Sequence, residues 1–114
     1  MNIKVVDIKN RGDLKKERIV IRALSNIDIG YYIVFLTKMT GEKSFSSNPK
    51  EVFWFPDKEI DKDDLIVLYT KKGEKSIKEN ESGTTTHFFY WDLESPIFED
   101  DKSHAVVIEA NGWT

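Results

Sequence analysis

Phe88, Phe89, Tyr90, Trp91 and Phe98 crowd into the stretch Thr84–Gly112, the densest aromatic run in the chain. Side chains of this size must be buried. A run so short, and so rich in aromatic and β-branched residues, suits a strand better than a helix. Two strand-like runs, Thr86–Trp91 and Ala105–Glu109, bracket a polar segment that contains Pro96. The rest of the chain has to supply extended partners for them.

It does so. Asn2–Ile8 alternates weakly, and Glu17–Leu24 alternates cleanly, with Ile19 and Ile21 on one face and Arg18 and Arg22 on the other. Tyr31–Lys38 is apolar on both faces, which places it centrally or beneath a cover. Val52–Phe55 is a short strand stopped by Pro56, which has no N–H for a ladder. Leu65–Thr70 is the most strand-like run of all. Between these runs lie Asn10-Arg11-Gly12-Asp13, a turn signal, and the loop Ser44–Lys50. The charged link Asp57–Asp64 has Ile60 as its one apolar plug, and the polar Lys71–Gly83 is long enough for a mobile excursion. About seven strands with recurrent turn signals and no amphipathic helix predict a single all-β domain over residues 1–114. The expected architecture is an antiparallel β-sandwich, with a small barrel as the competitor.

Composition narrows the function classes. The 114 residues carry a formal charge of −3 from 17 basic and 20 acidic side chains, which is no footprint for duplex nucleic acid. There is no cysteine, so disulfides, thiolate catalysis and thiolate zinc sites are excluded. The N-terminal residues are charged and lack the apolar core of a secretion signal, and no run is long enough to span a bilayer. A cytoplasmic location is the expectation, unless the chain is excised from a longer exported protein.

Several motifs fall in an order that resembles the lamin tail domain, an immunoglobulin-like module. Glu17-Arg18-Ile19-Val20-Ile21 is similar to its early Glu-x-aliphatic-x-aliphatic strand, and Asp28-Ile29-Gly30-Tyr31-Tyr32-Ile33-Val34 to its Asp-Leu-x-Gly-Trp-x-Leu. Phe55-Pro56, Ile60 and Leu65–Tyr69 follow in the family's order. Trp91, the polar turn Glu99–Lys102, Val106, Ile108 and Gly112 resemble its ending. The chain departs where the family has Gly-Trp (Tyr31-Tyr32 here), Pro-Gly (Lys62-Asp63) and Gly-Asp (Lys102-Ser103). The resemblance covers roughly residues 2–112. It implies an immunoglobulin-like sandwich of about seven strands and a non-enzymatic module for protein contacts, and it brings no catalytic residues.

The residues themselves offer little chemistry. His87 and His104 are the only histidines. His87 reads as a strand-edge residue at a sheet rim, since Asp92 would point away from it and a general base needs an orienting carboxylate. The acidic clusters Asp61, Asp63, Asp64 and Glu99, Asp100, Asp101 lack the alternating ligand pattern of a calcium loop and read as solvated charge. Neither a nucleophile elbow nor a phosphate-cradling glycine loop occurs, so no cofactor and no metal are expected. Lys71, Lys72, Lys75 and Lys78 are offset by Glu74, Glu79 and Glu81 in the same loop. Binding is therefore expected through a protein partner, with Phe53, Trp54 and Phe55 as contact residues and Lys71 and Lys72 adding charge. Val52 and Trp54 should share one face, opposite Phe53 and Phe55. The alternative is a carbohydrate-binding sandwich that stacks sugars on exposed aromatics.

Overall fold

The computed structural model describes residues 1–42, 44–48 and 50–114. The chain is all-β. Among the described residues the strands are β1 (Ile3–Lys9), β2 (Arg18–Ala23), β3 (Ile27–Asp28), β4 (Tyr32–Gly41), β5 (Ser44–Phe45), β6 (Lys50–Trp54), β7 (Glu59–Ile60), β8 (Leu65–Tyr69), β9 (Ser76–Glu79), β10 (Thr85–Tyr90) and β11 (Ser103–Glu109). The only helical element among them is a 3-10 turn over Ile29–Tyr31, and no helix is long and apolar enough to cross a membrane.

Two sheets dominate. One has the order β1-β2-β8-β10-β9; in the other β4 is flanked by β11 on one side and by β5 and β6 on the other. Strands β3 and β7 form a separate small pair. The inner faces of both large sheets meet in one cluster. Ile19, Ile21, Ile66, Leu68 and Phe89 come from the first sheet and Tyr32, Val34 and Ala105 from the second, with Phe55, Ile60, Trp91 and Phe98 closing the gaps. Each such aliphatic or aromatic side chain, taken fully out of water, contributes about 1.5–3 kcal/mol.

Several expectations need correction. The seven long runs are present, but short strands β3, β5, β7 and β9 join them. The sheets are not wholly antiparallel, because β10 runs parallel to β8 from Thr86↔Leu65 to Tyr90↔Tyr69. This follows from the 71–83 segment, which is no plain excursion. It carries β9, which pairs antiparallel with β10 on its far side, so the chain crosses past the position next to β8 before turning back. The loop expected over 44–50 contains β5 and the start of β6; Pro49 within it lies outside the described residues.

A buried carboxylate closes one end of the structure. Glu17 is fully buried and accepts four hydrogen bonds, from Gly12 N (2.8 Å), Thr70 Oγ1 (2.6 Å), Ile97 N (2.9 Å) and Phe98 N (3.1 Å). One side chain thereby ties the Asn10–Asp13 turn, the end of β8 and the segment before β11 to the start of β2. Such a charge is tolerable inside because every lone-pair direction finds a donor.

Candidate protein-contact surface

The outer face of the β11–β4–β6 sheet is apolar without interruption across three strands. Register places Trp54 beside Ile33 and Ile33 beside Ile108, while Val52 lies beside Phe35 and Phe35 beside Val106. Residues directly opposite in paired strands point to the same face, so these six form two parallel rows. Val52 is 61% exposed, Trp54 47% and Ile108 41%, and Ile33, Phe35 and Val106 are half-buried. Most soluble proteins scatter such side chains singly; contiguous apolar patches mark contact sites.

Trp54 is held in place. Its indole Nε1 donates to Gly30 O at 2.7 Å, and the ring of Trp113 meets it edge-to-face with centroids 5.7 Å apart at 85°. Gly30 belongs to the 3-10 turn capped by Asp28, whose Oδ1 accepts from Gly30 N (2.9 Å) and Lys58 N (3.0 Å). The indole is thus anchored to the fold through backbone, so contact there costs little side-chain ordering. The neighbouring edge of β6 is interrupted. Glu51 takes φ +50, and the pairing with β4 slips between Phe35 and Leu36, a bulge that spoils the edge for another strand.

The structure separates the residues expected to bind. Val52 and Trp54 do share an exposed face. Phe55 is 3% exposed and packs edge-to-face on Phe89 at 5.1 Å, and Phe53 leans on Phe55 and Trp91. Phe55 is a core residue and the half-buried Phe53 packs against the core, because alternation along residues 52–55 turns both inward. Lys71 and Lys72 are not near Trp54. Lys71 Nζ sits 4.9 Å from the ring centroid of Tyr69, on the outer face of the other sheet, and Lys72 reaches Glu94 at 4.0 Å. Ile33, Phe35, Val106 and Ile108 went unrecognised as surface. In β11 it is Ala105 and Val107 that meet the core, which leaves Val106 and Ile108 on the outer face. The available signal was an excess: β4, β6 and β11 are apolar on both faces, more than one interior can absorb.

His87 also requires correction. It is buried rather than at a rim, and its Nε2 lies 2.9 Å from Asp64 Oδ2. The orienting carboxylate comes from the link before β8, not from Asp92. Asp64 is buried as well, in contrast to a solvated cluster, and accepts from Thr85 N (2.9 Å) and Asp61 N (3.2 Å). Asp63 beside it adopts φ +72, a left-handed conformation that glycine more commonly occupies. His104 lies on the other sheet, edge-on to Phe45 at 5.8 Å.

Burial alone would raise the carboxyl of Asp64, but the bonds from His87, Thr85 and Asp61 outweigh it and hold its pKa below the usual value. A carboxyl depressed by folding stabilises the protein above its unfolded pKa of about 4, and that stabilisation is lost as pH falls through the folded value. Asp64→Asn should therefore lower the urea midpoint at neutral pH. It should also flatten the loss of stability that the parent shows below about pH 4. Parallel acid limbs for the two proteins would show that Asp64 does not drive it.

Comparison with known proteins identifies no relative. No family model matches the chain, and no curated protein or solved structure shows a significant match.

Proposed function

We propose that this chain is a non-catalytic binding or scaffolding module that makes protein–protein contacts through the outer face of the β11–β4–β6 sheet. The observation that carries the reading is the pair of apolar rows across three strands, centred on an indole pinned by backbone. Trp54, Val52 and Ile108 are the contact residues, with Ile33 and Phe35 beneath them. A face of this kind suits a partner presenting its own apolar surface, with aromatic anchors dominating the energy. On the β6 side the interrupted edge favours packing on the face over strand addition.

The immunoglobulin-like sandwich of lamin tail type belongs to the same proposal. It is supported by two sheets sharing one interior, and by the inward placement of Ile19, Ile21, Phe55, Ile60 and Trp91. The parallel β8–β10 pair counts against it. The carbohydrate alternative asks for two exposed coplanar rings. Trp54 and Trp113 meet at 85°, and Tyr69 and Tyr90 stack on each other at 5.4 Å, which spends ring faces within the protein.

Trp54→Ala should abolish capture of the native partner in a pull-down from the host while leaving the thermal midpoint within a few degrees of the parent. Retained capture would remove the face as the contact surface. A midpoint lowered by many degrees would assign Trp54 to the core instead.

A further inference from the structure

A second feature lies away from the Trp54 face. The segment after β6 and the strand β9 enclose a cleft of about 280 Å³, lined by Pro56, Asp57, Lys58, Lys75, Ser76 and Ile77, with Phe89 at its base. Lys58 Nζ stands 5.8 Å from the centroid of the Phe89 ring. Among the described residues neither Lys58 nor Lys75 forms an ion pair, although Asp57 lines the same cleft. Ile77 is 56% exposed and forms an apolar wall.

Two ammonium groups facing one cleft without a carboxylate partner repel each other. Burial lowers the pKa of Lys58 below that of an ordinary lysine, and the charge on Lys75 lowers it further. Surface lysines usually turn into water or find an acid. Here Lys58 is half-buried over a core ring. An anion between the two would relieve the repulsion and gain charge-assisted hydrogen bonds. The surrounding Ile77, Pro56 and Phe89 would favour an apolar body attached to that anion. The volume is just under the roughly 300–1,000 Å³ of drug-sized sites, which restricts the ligand to about one ring.

We infer that this cleft binds a small amphipathic carboxylate, with the carboxylate between Lys58 and Lys75 and an apolar ring or short chain against Ile77 and Pro56. Nothing in this assignment depends on the contact face, and the two can fail separately.

Benzoate is the probe, titrated into the full chain and followed by amide chemical shifts. Saturable shifts are expected at Lys58, Ser76, Ile77 and Phe89. Acetate, which lacks the ring, should bind more weakly, and benzylamine, which carries the wrong charge, should not bind. Lys75→Gln should weaken benzoate by about tenfold, the loss typical of one charged hydrogen-bond partner. Lys58→Gln should do the same. Since Lys58 covers Phe89 and its loss could disturb packing, the exposed Lys75 gives the decisive variant. Trp54→Ala should leave benzoate binding unchanged, and Lys75→Gln should leave partner capture unchanged. Shifts that stay linear at tens of millimolar benzoate, that map elsewhere, or that persist undiminished in Lys75→Gln would overturn the assignment.

Discussion

Glu17→Ala is expected to destabilise the protein by about 3–5 kcal/mol, the usual cost of breaking a buried charged network from one side. The substitution strands Gly12 N, Thr70 Oγ1, Ile97 N and Phe98 N, four donors that share this one carboxylate as acceptor, with Thr70 and Phe98 buried. It also opens a void beside Phe98, which is fully buried. For a domain of this length the thermal midpoint should fall by roughly 10–20 °C. Glu17→Gln keeps the volume and one carbonyl oxygen, but turns an amide NH2 toward donors that need an acceptor, so it should recover only part of the loss. Urea unfolding of the two variants beside the parent measures both. An alanine variant within about 1 kcal/mol of the parent would show that the carboxylate merely occupies the site, since even one unsatisfied buried donor costs that much.

The second large effect should come from Gly30→Ala. A Cβ at this position would stand 2.9 Å from the Cα and 3.0 Å from the Cγ of Asp57. The first of these atoms is backbone and cannot swing aside, so the 3-10 turn and the segment after β6 must move apart. Overpacking of this kind costs about 1–3 kcal/mol. The same displacement disturbs Gly30 O, the acceptor for the Trp54 indole. The expected result is a lowered midpoint together with weakened partner capture, although residue 30 is not itself one of the contact residues. Unchanged stability and unchanged indole fluorescence would mean that the turn yields freely and does not position Trp54.

What could be read from the sequence was set by how local the signal is. The long strands declared themselves through runs such as Leu65–Tyr69, and β6 through the alternation of Val52 and Trp54 against Phe53 and Phe55. Ile60 stood out as the single apolar residue of a charged link and is indeed core, at 1% exposure. Pairing partners are long-range and left no trace. Nothing in Lys71–Gly83 announces that Ser76–Glu79 will line the far side of β10 and so make β8 and β10 parallel. The meeting of Asp64 with His87 was hidden for the same reason, because the two are brought together only by the sheet. For β11, four successive apolar residues from Ala105 to Ile108 gave no phase, and the inward face fell to Ala105 and Val107.

A bare apolar sheet face carries a hazard, and three of the edge strands of the two sheets are bulged or short. Strand β6 is broken by Glu51, β1 carries a bulge around Val6 between Val5 and Asp7, and β9 is only four residues long, with Lys78 and Glu79 in its sequence. Each of these discourages the end-to-end sheet growth that builds fibrils. The edge of β11, regular from Ser103 to Glu109, is the one beside the adhesive face that has no such interruption.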